Sequence, residues 1–152
     1  MAEPPTRTNV AAELLDAHNR ERAAARVPPL AWHPGIAGAS AAYARQLAMR
    51  GSLRHSSRQA RPGQGENLWM GTRGAYSPRQ MVADWASERR LFRSGVFPAV
   101  SRSGNWADVG HYSQMIWPTS THLGCAIASS ASADFLVCRY APAGNIDGRR
   151  VP

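Results

Sequence analysis

The sequence contains no lysine, and all 18 of its basic residues are arginine. Ten acidic residues oppose them, so the formal net charge is +8 at pH 7. An excess of this sign favours contact with phosphate-bearing or other anionic surfaces. A coding preference for arginine in the source organism would produce the same composition without any such contact.

Long apolar runs are also missing. The longest uncharged stretches, 27–44 and 109–133, are broken by proline, glycine, histidine and serine, which excludes a membrane-spanning helix there. The opening residues Met-Ala-Glu-Pro-Pro-Thr-Arg lack the apolar centre of a secretion signal. With 152 residues, 43% of them apolar, the chain has enough core-forming side chains for one globular domain. We expect a short tail over residues 1–8 and one domain over residues 9–152.

Only two cysteines are present, Cys125 and Cys138. They lie in two short runs, 123–129 and 135–141, that are typical of β-strands joined by a small polar turn. Directly opposed residues of such a hairpin are close enough for a disulfide, which forms in an oxidising compartment. We therefore predict a disulfide and a mature protein that is secreted or periplasmic. Two reduced, buried thiols would fit the same hairpin.

Helical spacing and strand-like runs are mixed along the chain, which favours an α+β fold with a small antiparallel sheet. A short strand is predicted at 66–70, directly after a loop that contains glycine and proline. The glycine-rich and proline-containing segment 94–108 predicts a long loop, and we expect coil from Pro142 onward. The predicted helices lie at 8–27, 33–51, 77–92 and 110–117.

Two glutamates lie at positions where an inward-facing carboxylate would be energetically unfavourable. Glu88 continues the apolar stripe of Met81, Trp85 and Phe92, and a carboxylate that faces inward costs several kcal/mol unless it is paired. Strand alternation turns Glu66 inward as well. Alternatively, Glu88 lies at the edge of its stripe with its head in water. If they are inward, both glutamates require partners.

Two histidines are available as partners or ligands. His55 follows the second predicted helix, and His111 opens the segment 110–117. A single histidine is more often a structural hydrogen-bonding group than a metal ligand. The sequence contains no Cys-x-x-Cys, no His-Glu-x-x-His, no nucleophile elbow and no phosphate-binding loop. Residue patterns alone thus indicate a small secreted α+β domain. It contains two carboxylates that need partners if they face inward, and two histidines that could be those partners or metal ligands.

Four motifs occur together in a specific order. His18-Asn19 with Arg22 comes first, followed by Gly-Glu-Asn-Leu at 65–68. Gly-His-Tyr-Ser-Gln-Met-Ile-Trp-Pro-Thr-Ser follows at 110–120, and Phe-Leu-Val-Cys-Arg-Tyr-Ala-Pro-Ala-Gly-Asn-Ile closes the series at 135–146. This combination resembles the CAP superfamily of cysteine-rich secretory, antigen 5 and pathogenesis-related 1 proteins. Many eukaryotic relatives have three disulfides and extra modules, so two cysteines indicate a bacterial-type single CAP domain.

The resemblance implies an α-β-α sandwich with a small antiparallel sheet between helices. It also implies a central groove in which His55, Glu66, Glu88 and His111 form a tetrad able to hold Zn²⁺ or another divalent metal. The remaining matched positions are expected to be scaffold. They are His18, Asn19, Arg22, Asn67, Trp85, Tyr112, Trp117, Tyr140 and Asn145.

From this resemblance we expect a secreted protein whose groove binds a divalent metal, a small lipid such as a sterol or fatty acid, or both. One alternative is a zinc-dependent hydrolase or protease with Glu66 or Glu88 as general base, but no catalytic residue is assigned. Another is a defence or virulence protein that contacts an anionic membrane surface through arginines. We expect no specific nucleic-acid partner and a monomer or weak dimer. The arginines of that surface are Arg45, Arg50, Arg54, Arg58 and Arg61.

Overall fold

The computed structural model describes residues 7–152, with side chains from residue 10 onward. The predicted tail over residues 1–8 lies outside this range, apart from residues 7 and 8, which are helical. The helices are α1 (Arg7–Ala24), α2 (Pro34–Arg50), α3 (Pro78–Ala86) and α4 (Gly110–Met115). The strands are β1 (Ala31–Trp32), β2 (Gly65–Thr72), β3 (Gly95–Val96), β4 (His122–Ser129), β5 (Ala133–Ala141) and β6 (Arg150–Val151). Short 3₁₀ turns lie at Arg58–Ala60, Ser87–Leu91 and Trp106–Asp108.

The main sheet has the strand order β1-β4-β5-β2. Strand β5 pairs antiparallel with both β2 and β4, as predicted, whereas the two-residue strand β1 adds a parallel edge to β4. The sheet is therefore mixed. Cys125 lies opposite Cys138 in the hairpin and forms a disulfide with it, which confirms that prediction.

Alternate residues of β5 pack on opposite faces of this sheet, because successive side chains of a strand point to opposite sides. Leu136 and Tyr140 belong to the larger apolar core, which is shared with α1, α3 and α4. Phe135 and Val137 belong to a smaller core, which is shared with α2. All four side chains are fully buried, and burial of one such apolar side chain stabilises a fold by roughly 1.5–3 kcal/mol. The predicted α-β-α sandwich is confirmed.

The ends of α2 and α3 follow local signals in the sequence. The Nδ1 atom of His33 accepts a hydrogen bond from the Ile36 backbone at the start of α2, and Gly51 ends the helix in the left-handed conformation with φ of 77°. Ser77 and Gln80 form a reciprocal capping box at the start of α3. These ends place His55 four residues beyond Gly51.

Two segments that were predicted to be irregular contain short strands. Strand β3 lies in the predicted loop 94–108, and it pairs with β6 near the carboxyl end of the chain. Strands of two residues are too short to show alternation in a sequence, which is why both were missed. Within residues 7–152, no helix has both the length and the apolar character needed to cross a membrane.

Candidate functional site

The first candidate pair joins a loop to the edge strand of the sheet. His55 lies between α2 and β2, and its Nδ1 atom is 2.9 Å from Oε1 of Glu66 on β2. The following residue, Ser56, donates from its backbone N–H to Oε1 at 2.9 Å and from its hydroxyl to Oε2 at 2.6 Å. Glu66 is therefore buried with both carboxylate oxygens occupied.

Two arginines complete the surroundings of Glu66. Nε of Arg139, on the neighbouring strand β5, donates to Oε2 at 3.0 Å, and Nε of Arg61 lies 3.7 Å from Oε1. Burial alone would raise the pKa of Glu66, but hydrogen bonds from His55 and Ser56 and the charge of Arg61 outweigh it and lower the pKa to about 2. Glu66 is thus a permanently ionised acceptor at neutral pH.

The second pair joins α4 to the 3₁₀ turn that follows α3. The Nδ1 atom of His111 is 2.7 Å from Oε2 of Glu88, and the backbone N–H of Tyr112 donates to Oε1 at 3.0 Å. The Trp85 ring stacks on the His111 imidazole, with ring centroids 5.8 Å apart and planes 10° apart. This stacking and the carboxylate together fix the orientation of the imidazole.

Both imidazoles use the same nitrogen, Nδ1, to contact a carboxylate. An ionised carboxylate only accepts hydrogen bonds, so Nδ1 of His55 and Nδ1 of His111 are the protonated nitrogens in each pair. In the neutral form of either ring the lone pair is on Nε2, which has no hydrogen-bond partner among the described residues. The two rings line one open groove of about 740 Å³ together with Glu66, whereas Glu88 lies behind His111.

This arrangement can supply two nitrogen ligands to a metal ion. Histidine ligands to a metal almost always donate their other ring N–H to a carboxylate, a backbone carbonyl or water. Glu66 and Glu88 hold the two histidines through Nδ1, and the described residues contain no group of three or more His, Cys, Asp or Glu arranged around a common metal position. Any cation held here by the described residues would have two histidine nitrogens as ligands, and its other ligands would be water or a bound molecule.

A buried hydrogen-bonded chain connects α1 to the backbone of His111. Nδ1 of His18 lies 2.7 Å from the Leu14 carbonyl and must donate to it, so Nε2 accepts from the Tyr140 hydroxyl at 2.6 Å. Asn67 then donates to the Tyr140 oxygen at 3.2 Å and to the His111 carbonyl at 3.0 Å. Burial lowers the pKa of His18 to about 4 and raises that of Tyr140, so both groups are neutral at pH 7.

Arg22 and Asn19 bind backbone groups rather than side chains. Arg22 is fully buried and donates to four carbonyl oxygens at 2.7–3.0 Å, those of Pro28, Met115, Trp117 and Ser120. Burial lowers its pKa to about 10, so it keeps its charge at neutral pH. Asn19 exchanges two hydrogen bonds with the backbone of Leu30. Together they join α1 to the end of α4 and to the segment before β1.

One family model matches most of the chain: "CAP: Cysteine-rich secretory protein family" covers residues 15–140. The chain belongs to the CAP family. The pathogenesis-related protein PR-1 type of Sambucus nigra is 33% identical over 139 residues, which are 91% of this chain and 79% of that protein. The secreted protein RBT4 of Candida albicans is 31% identical over 144 residues, which are 93% of this chain and 37% of RBT4.

Solved structures show the same fold. The crystal structure of NaASP2 with Zn²⁺ is similar to this CAP domain with a TM-score of 0.76 at 22% identity, covering 99% of this chain and 88% of that one. At this identity the likeness is one of fold. The bacterial type that the two cysteines indicate stays a prediction.

Asn145 and Gln114 shape the far wall of the CAP groove. Asn145 accepts from the Ser113 hydroxyl at 2.6 Å and donates to the Gly110 carbonyl at 2.9 Å. Gln114 accepts from the backbone of Gly144 at 2.9 Å, and a Cβ on Gly144 would lie 2.7 Å from the Gln114 amide and from the Trp117 ring. A glycine is therefore required at this wall. Trp117 and Tyr112 are buried in the core behind it.

The residues that sequence reasoning missed are the partners of Glu66 and the groove residue Gln114. Ser56 holds Glu66 by two hydrogen bonds, although its position beside His55 carried no signal of its own. Arg139 faces Glu66 across strands β2 and β5. An inward arginine on a strand otherwise rich in apolar residues is a signal for such a pair, and it was available in the run 135–141.

Proposed function

We propose that this CAP protein is secreted and that its groove binds a divalent cation such as Zn²⁺ through Nε2 of His55 and Nε2 of His111. The observation that carries this proposal is that both imidazoles have Nδ1 engaged by a carboxylate and Nε2 unpartnered on one groove. The Zn²⁺ in the NaASP2 crystal structure supports it by analogy of fold. A bound cation would supply positive charge and open coordination positions for a ligand.

Two independent observations support secretion. The Cys125–Cys138 disulfide requires an oxidising compartment to form and persist. RBT4, which matches along 93% of this chain, is itself named a secreted protein.

The chemistry of the groove suits a small amphipathic ligand such as a fatty acid. Arg58 and Arg61 line it, and so do Trp106 and Ile146, whose side chains are large, apolar and exposed. An anionic headgroup would lie near the cation and the arginines, and the apolar part would contact Trp106 and Ile146. A ligand with an anionic group and an apolar part would contact both the arginines and the apolar residues of the groove, whereas a wholly apolar ligand would leave the arginines without a partner.

The hydrolase alternative receives less support from the same geometry. A general base needs a carboxylate oxygen that is free to take a proton from water. Both oxygens of Glu66 and both oxygens of Glu88 accept hydrogen bonds from protein groups. These carboxylates are better suited to orient the histidines than to accept a proton during turnover.

The cation proposal is tested by calorimetric titration of Zn²⁺ into chelator-treated protein at pH 7. We expect one site in the wild type, loss of that site in the His55→Ala/His111→Ala double variant, and an affinity about 10- to 100-fold weaker in Glu88→Gln, which weakens the orientation of His111. His122→Ala is the matched control, because His122 is exposed and lines neither the groove nor its walls. Equal affinities in the wild type and the double variant would refute the cation site.

The ligand part is tested separately with radiolabelled oleate and cholesterol. We expect saturable oleate binding that weakens at least about 10-fold in Trp106→Ala, or about 1.4 kcal/mol. Tyr76→Ala is the control, since Tyr76 is 44% exposed and Trp106 is 45% exposed, but Tyr76 lies outside the groove. Failure of both lipids to bind would refute a lipid ligand and leave the cation site untouched.

A further inference from the structure

A second cavity, of about 750 Å³, lies beside the groove between α2 and the loop that follows it. One wall is formed by small and apolar residues of α2, including Ala39, Ala42 and Leu47. The opposite wall is formed by the loop residues 54–57. The Tyr43 hydroxyl donates to the Arg54 carbonyl, which fixes the loop against α2. We call this space the α2 pocket.

Arg139 forms the floor of the α2 pocket. Its side chain is only 5% exposed, and its guanidinium carbon lies 5.1 Å from the centroid of the Tyr43 ring. Nε is used by Glu66, but among the described residues neither Nη nitrogen has a hydrogen-bond partner. Gln64 Oε1 is the one side-chain polar atom among the described residues that is both buried and unpartnered, so the Nη atoms of Arg139 are not sealed from solvent. Because Arg139 lines the α2 pocket, its Nη edge is available to donate hydrogen bonds to a ligand in that pocket.

The other charged residues that line the α2 pocket are positive, as Arg139 is. Arg50 and Arg54 line the pocket, and neither forms an ion pair with a described residue. No aspartate or glutamate is among the described residues that line it. The nearest carboxylate, Glu66, already accepts hydrogen bonds from His55, Ser56 and Arg139. Three arginines therefore line one concave site, and only Arg139 among them is paired with a carboxylate, through its Nε atom.

We infer that the α2 pocket binds a phosphate monoester through Arg50, Arg54 and the Nη edge of Arg139. Guanidinium groups bind phosphate oxygens in bidentate pairs, and three of them match an anion with several equivalent oxygens. The volume exceeds that of a phosphate group alone, and the Ala39, Ala42 and Leu47 wall offers apolar contact to the organic part of the ester. His55 lines both cavities, but Arg50, Arg54 and Arg139 line only the α2 pocket, so the phosphate site does not depend on the proposed function.

The test is calorimetric titration of inorganic phosphate and glycerol 3-phosphate into chelator-treated protein in phosphate-free buffer. Flotation with phosphatidylcholine vesicles, with and without phosphatidic acid, asks whether the monoester belongs to a lipid. We expect phosphate binding that weakens at least about 10-fold in Arg54→Ala. It should be unchanged in Arg45→Ala, which removes the same charge from an exposed position of α2 outside the pocket. The groove variant His111→Ala should bind phosphate as the wild type does.

Arg139→Lys keeps the positive charge but removes the Nη edge of the guanidinium, so the affinity for phosphate should fall at least about 10-fold. Because this change also disturbs Glu66, the Arg54→Ala and Arg45→Ala pair decides the outcome if the lysine variant fails to fold. Binding of glycerol 3-phosphate would identify a soluble ester as the ligand, and Arg54-dependent flotation alone would identify a lipid headgroup. Equal binding by Arg54→Ala and Arg45→Ala, or no binding by any probe, would overturn the inference.

Discussion

Protonation of Glu66 should destabilise the fold in a narrow range of acid pH. Its pKa falls from the ordinary 4.5 to about 2 in the folded protein, which corresponds to roughly 3 kcal/mol because each pKa unit is about 1.4 kcal/mol. A lowered pKa means that the unfolded chain binds a proton more readily than the folded one. The contribution is therefore complete above pH 4.5 and is lost as the pH falls from 4.5 to about 2.

Urea denaturation at a series of pH values from 7 to 2, with chelator present, measures this effect in the wild type and in Glu66→Gln. The variant lacks the ionisable group, so its free energy of unfolding should decline less between pH 4.5 and 2, by roughly 3 kcal/mol. Glu13→Gln serves as the control, because it removes the same charge from a residue of α1 with no ion pair among the described residues. If the wild-type and Glu66→Gln curves run parallel over that range, the ion-pair network around Glu66 does not stabilise the fold.

Three further changes should also alter stability. Burial lowers the pKa of His18 to about 4, so the free energy of unfolding of the wild type should fall by up to ~3 kcal/mol as the pH falls from 6.5 to 4. In urea titrations, a His18→Gln variant with the same pH dependence of that free energy as the wild type would contradict this. Arg22→Met leaves four carbonyl oxygens without their donor and should cost about 3 kcal/mol or more in chemical denaturation; a loss below 1 kcal/mol would show that water replaces the guanidinium. Replacing Cys125 and Cys138 by alanine opens a loop with a sequence separation of 13 and should cost about 3 kcal/mol, and an unchanged melting temperature would argue against it.

The local features of the fold could be predicted because their signals lie within a few residues. Gly51 can adopt a positive φ without strain, and Ser77 with Pro78 begins a helix by capping it, so both boundaries are readable in one window of sequence. The Cys125–Cys138 register follows from the short turn of its hairpin. These features depend on neighbours in the chain.

The candidate site could not be assembled from residue patterns, since its members meet through long-range packing. The pairing of Glu66 with Arg139 depends on the register of β2 against β5, and no local signal sets it. Burial of Glu66 could be expected from strand alternation, but its histidine partner was supplied by the family resemblance. Arg139 escaped notice for the same reason, because its role depends on which residue faces it.

The groove lining and the two apolar cores share no residue among those described. The lining comes from loops and element ends such as Arg58, Gln64 and Ile146, while the sandwich is held by side chains of the sheet and helix interiors. Substitutions at lining positions such as Arg58, Gln64 and Ile146 can therefore accumulate with little penalty to folding, whereas Glu66 and Gly144 in the same lining are constrained by their contacts. A scaffold divided in this way is well suited to diversification, and a library randomised at those three positions should retain folded members while their ligand preferences diverge.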